Sequence, residues 1–334
     1  MRSRWVQPSE VPANYIAVVG MPIDSWNLSR SGTRWGPRAI REASLYPSMI
    51  FGIQPDDSGY ISSRTGELTR WPSELRLVDT GDVVIRPADV VAQTEGAIEH
   101  ITAASRTSQI TLTLGGDHYV SYPAFAGVLA GWRDRKPGLK AGYLHIDSHA
   151  DFYDRTKMLG KYNHSTCARR VSEIPEVTRM AWVGINGETS LEPNQFQVMH
   201  ERGFRVCTSY YSHRVGIAES MDRVLDYVTD GVDIVYVSID IDVVEGAHAP
   251  ATHTPTFDAL SAPEFLETLR AISAIDNLVG VDMCEVAPAI DPSQRTERLA
   301  LSGILAALAP RILQSEARYS KEELEQVFFG WDGG

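Results

Sequence analysis

Three short segments hold the residues best able to do chemistry: Gly115-Gly116-Asp117-His118, His145-Ile146-Asp147-Ser148-His149-Ala150-Asp151 and Ser238-Ile239-Asp240-Ile241-Asp242. Each closes an apolar, β-branched run. In an extended chain, residues two apart face the same side. Asp147, His149 and Asp151 are therefore expected to converge if the chain stays extended, and Asp240 and Asp242 to do the same on a nearby strand. Carboxylates packed at a buried strand end repel and raise one another's pKa. Divalent metal is the simple way to keep four of them ionised, since two M²⁺ ions balance four aspartates while two imidazoles add neutral nitrogen ligands. A ligand set of oxygen and nitrogen without thiolate suits Mn²⁺, Ni²⁺ or Fe²⁺ better than structural Zn²⁺. Two ions sharing bridging carboxylates can hold a hydroxide, because metal binding drops the pKa of water toward roughly 7. Alone, an Asp-x-Asp pair is also the pattern of a turn or cap, and Gly-Gly marks many turns. The conjunction of three such segments is what points to a metal centre.

The elements that must position these residues follow from the apolar pattern. Strands are expected over 16–21, 75–79, 110–114, 143–146, 180–185, 204–207, 234–239 and 278–283. Gly36-Pro37 opens a helix with proline in its first turn. Asp89 is placed to cap a helix carrying Val90, Val91, Ala97, Ile98 and Ile101. Further helices are expected over 123–132, 217–229, 263–273, 297–313 and 322–329. Eight strands interleaved with helices argue for one α/β domain, spanning 1–334, around a mostly parallel sheet. The three chemical segments then sit at carboxyl ends of strands, where open α/β sheets place ligand sites. Residues 52–71 are polar and rich in Gly, Ser and Pro, the pattern of a surface excursion.

Composition narrows the function classes. The 334 residues carry 31 Lys+Arg against 43 Asp+Glu, a net charge of −12. That balance argues against binding nucleic acid or an anionic membrane surface. A hydrophobic content of 43% with 22% charged residues is that of a folded globular chain. Cys167, Cys207 and Cys284 are scattered and odd in number, which points to a reduced, cytoplasmic protein without a disulfide framework. No apolar run approaches the roughly 18 residues of a membrane span, and the first ten residues lack the apolar region of a secretory signal.

Gly115-Gly116-Asp117-His118 with its continuation to Pro123, the block from His145 to Asp154 and the block from Ser238 to Pro250 resemble, in this order, the metal-binding blocks of the ureohydrolase family of arginases, agmatinases and guanidino-acid hydrolases. The similarity extends to residues 31–41, to Tyr162-Asn163-His164-Ser165-Thr166 and to Cys284-Glu285-Val286-Ala287-Pro288, and so spans nearly the whole chain. The resemblance implies a three-layer α/β/α sandwich around a parallel eight-stranded sheet. It implies one metal ion on His118, Asp147, Asp151 and Asp240 and a second on Asp147, His149, Asp240 and Asp242, with Asp147 and Asp240 bridging. His164 would pass a proton to the leaving amine, Glu285 would hold the guanidinium group, and Asp151 would help stabilise the tetrahedral intermediate. The implied reaction is hydrolysis of a guanidino C–N bond to urea and an amine, with two Mn²⁺ or Ni²⁺ ions as cofactors. Asn163, His253 and Thr254 are candidates for further substrate contact. The implied assembly is a homo-oligomer, trimer or hexamer.

Departures from the family pattern bear on the substrate. Glu245-Gly246 stands where Asp-Pro is usual, Ser165 replaces a glycine, and Asn186 stands where agmatinases tend to have arginine. The loop 249–257 gains Ala251 and His253 in place of glycines and Thr256 in place of glutamate. The carboxylate-binding loop particular to arginases is not evident after Asp151. A bulkier pocket suits a compact substrate, such as guanidine or a biguanide of the metformin type. The other readings are drift within a guanidino-acid hydrolase, a subunit of a hetero-oligomeric hydrolase, and a one-zinc amidohydrolase on a similar scaffold.

Overall fold

A computed structural model describes residues 4–25, 30–46, 59–70, 72, 75–186, 191–317 and 319–328. Among them the strands are β1 (Arg4–Trp5), β2 (Ile16–Met21), β3 (Tyr60–Ile61), β4 (Glu67–Arg70), β5 (Leu77–Asp82), β6 (Ile110–Gly115), β7 (Ala141–Ile146), β8 (Val177–Ile185), β9 (Arg205–Thr208), β10 (Ile234–Asp240), β11 (Leu278–Cys284) and β12 (Gln314–Ala317). Nine of them form one sheet in the order β1-β5-β2-β6-β11-β10-β7-β8-β9, parallel at every pairing. The eight strands expected from the sequence are all present, and the ninth corrects the count. It is the two-residue β1 at the sheet edge, exposed and too short to leave a periodic signal.

Every residue of β2, β6, β7, β10 and β11 is buried, as a parallel sheet covered on both faces requires. Alternate residues serve opposite layers: Val235, Val237 and Ile239 join one apolar cluster, Ile234 and Tyr236 the other. The helices Val90–Ser105 and Ser121–Arg135 contribute Ile101, Phe125 and Val128 to the second cluster. Ile217–Thr229, Ala262–Ile272 and Arg295–Ile312 contribute Met221, Phe265 and Ile304 to the first. The result is a three-layer α/β/α fold. Caps set the helix starts: Asp89 accepts from the Ala92 amide at 3.0 Å, and Ser261 with Glu264 forms a capping box.

Residues 52–58 and 71 of the expected excursion lie outside the described residues. The rest is not wholly irregular, because β4 pairs antiparallel with β3 on one side and with β12 on the other in a small second sheet. The sheet order matters most at its centre. It sets β6, β11, β10 and β7 side by side, so the three chemical segments and Glu285 leave adjacent strands at the same carboxyl edge.

Candidate metal centre and active site

The chain does not stay extended beyond these strands. The Asp147 carboxylate turns back to accept from the His149 amide at 2.6 Å. Asp240 likewise accepts from the Asp242 amide at 2.7 Å, and a short 3-10 turn, Ile241–Val243, follows. Asp151 takes a left-handed backbone, with φ of 46°, a conformation few non-glycine residues adopt. The carboxylates do converge, but through side-chain-to-backbone turns and not by the two-residue alternation expected. The physical reason is that the last amides of a parallel strand have no further strand partner, and an adjacent Asp supplies the acceptor.

Gly116 must be glycine. A β-carbon there would stand 1.7 Å from the Ile23 carbonyl oxygen, which is held close by the Asp117 amide at 2.8 Å. That approach brings His118 into the centre. His118 Nε2 lies 2.9 Å from Ser238 Oγ. Ser238 in turn lies 2.9 Å from Asp282 Oδ1, which draws the serine proton, so the imidazole donates from Nε2. The lone pair on Nδ1 then faces Asp147 Oδ2 at 3.0 Å, Asp151 Oδ2 at 3.1 Å and Asp240 Oδ2 at 3.0 Å. This buried nitrogen makes no hydrogen bond. A lone pair ringed by three carboxylates is the arrangement that a cation fits.

A second group adjoins it. His149 Nδ1 lies 3.1 Å from Asp242 Oδ2 and 3.5 Å from Asp147 Oδ1. Asp242 is steadied by Ser148 Oγ at 2.8 Å and Thr254 Oγ1 at 3.0 Å. Asp147 faces both groups. Burial first, and then the charges of Asp242 and Asp147, push the Asp240 carboxyl well above its usual range. Burial pushes Asp147 the same way, but hydrogen bonds from imidazoles around it, His145 and His149 among them, outweigh it and hold that group well below. Like charges at this density call for a countercharge.

Glu285, also at a left-handed φ of 64°, closes the floor. Its Oε1 accepts from the His118 amide at 2.8 Å, and its Oε2 lies 2.5 Å from His253 Nδ1. Burial lowers the His253 pKa, but the hydrogen bond and charge of Glu285 outweigh it and leave it raised. The His253 ring meets His164 edge-on at 5.3 Å. Burial lowers the His164 pKa and favours its neutral form. Above this floor opens a cavity of about 390 Å³, lined from His118, Asp240 and Glu285 out to Tyr153, Leu191, Glu192 and Gln195. That size is at the small end for ligand sites.

Of the residues singled out in the sequence, His118, His149, Asp151, His164, Asp240, Asp242, His253, Thr254 and Glu285 line the cavity, and Asp147 lies beneath it. Asn163 does not line it. Its amide group bonds the Gly160 carbonyl at 3.0 Å and caps the Ser165 amide at 3.1 Å, shaping the loop that presents His164. Three supporting residues went unassigned in the sequence reading: Ser238, Asp282 and His145. His145 stacks on His118 at 4.6 Å, and its Nε2 lies 2.9 Å from Asp147 Oδ2. Their signal was present: His145 and Ser238 precede Asp147 and Asp240 by two residues, and so face the same way along their strands.

Fold and site together define a three-layer α/β/α protein with a buried Asp/His centre built to hold metal ions. The chain belongs to the arginase family, whose model matches residues 14–309. It is 31% identical over 306 residues to the guanidinobutyrase of Pseudomonas aeruginosa, covering 90% of this chain and 87% of that protein. It is 32% identical over 289 residues to the mitochondrial guanidino acid hydrolase of Homo sapiens, covering 85% and 74%, and 32% identical over 289 residues to the mitochondrial agmatinase of Gallus gallus, covering 85% and 77%. The solved proclavaminate amidino hydrolase of Streptomyces clavuligerus superposes with a TM-score of 0.73 at 27% identity, covering 93% of this chain and 97% of that one. Family and relatives place the chain among the hydrolases of amidino C–N bonds. Among the described residues no helix is long and apolar enough to cross a membrane.

Proposed function

We propose that the chain hydrolyses a guanidino compound to urea and an amine with two divalent metal ions, Mn²⁺ or Ni²⁺. The observation that carries the reading is the lone pair of His118 Nδ1 facing three carboxylates within 3.1 Å, beside a second His–Asp group that shares Asp147. His118, Asp147, Asp151 and Asp240 would hold one ion, and Asp147, His149, Asp240 and Asp242 the other. When bound, such ions supply a water of lowered pKa and a positive field for the developing charge.

The remaining work belongs to the chain's own side chains. Glu285 accepts from the guanidinium N–H groups and fixes the carbon over the centre. Asp151 helps stabilise the tetrahedral arrangement reached when water adds to the guanidinium carbon. His164 delivers a proton to the leaving nitrogen as the C–N bond breaks. Thr254 steadies Asp242, and Asn163 acts through the loop it shapes. The closed packing of these groups around a small cavity keeps bulk water from competing for them.

A second reading is favoured by one observation: the family's glycine-rich loop has here placed His253 in the cavity against Glu285. This shortens the pocket and suits a compact guanidine or a biguanide. A homo-oligomer, or a hetero-oligomer with a related chain, remains part of the proposal. The test is the purified chain alone, loaded with Mn²⁺ or Ni²⁺, counted for metal and assayed for urea or amine release. Substrates are agmatine, guanidinobutyrate, guanidinopropionate, arginine, guanidine and metformin. Two metals per chain with turnover are expected. One zinc per chain, or no turnover of any of these, overturns the reading.

A further inference from the structure

From the charge of the cavity wall we infer that the substrate carries no carboxylate: it is a guanidine whose tail is neutral, cationic or absent. This rests on the proposed hydrolysis and narrows its substrate class. Among the described residues lining the cavity there is no Lys or Arg. Leaving aside the aspartates assigned to the metal ions, which those ions neutralise, the lining carries Glu285 below and Glu192 at the outer edge.

The imidazoles supply no cation at the rim. His149 lies against Asp242 and Asp147, and His253 lies against Glu285. Each faces a negative partner inside the site. His164 faces the reacting end and not the rim. Two guanidinium groups on the helix that follows His164 are committed elsewhere. Arg170 is buried between Asp154 and Glu173 at 2.9 Å from each, and Arg169 lies over the Phe152 ring at 5.2 Å.

A guanidino acid would thus bring its carboxylate up to Tyr153, Leu191, Glu192 and Gln195 with no fixed cation to meet it. Like-charge approach in a narrow site is a strong ground for rejection. An ammonium or a biguanide tail meets Glu192 instead, at an exposed position where a single charge contact has a small effect.

The experiment compares three substrates of equal length that differ only in the tail: agmatine, 1-butylguanidine and 4-guanidinobutyrate, with guanidine and methylguanidine as the tail-free limit. The enzyme is loaded with Mn²⁺ and with Ni²⁺, and urea release is followed. The expected kcat/KM for guanidinobutyrate is at least about tenfold below that of the best carboxylate-free member. Binding of the corresponding amines by calorimetry gives a readout independent of turnover: putrescine should bind more tightly than 4-aminobutyrate. Glu192→Lys should narrow or reverse both preferences, and Glu192→Gln should lower the agmatine advantage over butylguanidine about threefold. Preferred turnover of guanidinobutyrate would overturn the inference while leaving the hydrolase reading intact. Turnover of guanidine or methylguanidine alone supports it. Two bound metals with no urea from any member overturns the hydrolase reading itself, and the inference with it.

Discussion

The strand-end centre and the outer cavity wall follow different building rules. In the centre, the side chains apart from half-exposed His149 are buried, and each is held by more than one partner. His118 is fixed by Ser238 behind and carboxylates in front, and Asp242 is fixed by Ser148 and Thr254. These residues stand on β6, β7 and β10, whose neighbours in the sheet fix their position. The wall is made of loop and helix-start residues. Glu192 is exposed, and Tyr153 and Leu191 are only half-buried. Such positions can change without unsettling the core. On the proposed reading, the difference separates chemistry from selectivity: the reaction in the turns that end central strands, the choice of tail in the loops above them.

Substitutions should separate the two regions. The largest effect is expected from Asp240→Ala, which removes a shared ligand: metal content should fall below one ion per chain and kcat by roughly a thousandfold or more. Full activity with two bound ions in that variant would break the assignment of the centre. Gly116→Ala should come next. Its β-carbon meets the Ile23 backbone at 1.7 Å, so a loss of about 3 kcal/mol or more is expected in denaturant unfolding. Unchanged unfolding would mean that the close approach is not needed to place His118. Ser238→Ala should weaken metal binding about 10- to 100-fold, because it frees the far side of His118. Calorimetric titration with Mn²⁺ measures this, and a variant that binds metal normally would remove Ser238 from the support of the centre. The smallest effect should come from the wall. His253→Gly should leave metal affinity within about threefold while improving long substrates relative to guanidine by about fivefold. A large loss of metal in that variant would blur the distinction between the two regions.

A good deal of this could be read from the chain. The eight central strands declared themselves by uninterrupted β-branched runs such as Ile234-Val235-Tyr236-Val237, because a strand buried on both faces has no polar alternation to hide it. The six candidate ligands were legible because three strand ends in one chain carried the same unusual pairing of Asp and His. The edge strand Arg4–Trp5 was not legible, since it is held by sheet pairing and not by its own periodicity. Nor was the small sheet of β3, β4 and β12, since β4 and β12 lie more than 240 residues apart. Asn163 looked like a pocket residue because of its neighbour His164, yet its side chain is spent on the loop.

The sequence by itself determined the fold class, the ligand types and the family, because these depend on local pattern and on short spacings along the chain. Only the tertiary structure decided how the ligands meet. Asp147 and Asp240 turn on their own backbones, Glu285 arrives from β11 between β6 and β10, and His253 swings in from a loop 32 residues away to lie against it. The physical reason is that convergence depends on which strands are neighbours. That order is set by the packing of two apolar layers across the whole sheet and is not encoded in any one segment.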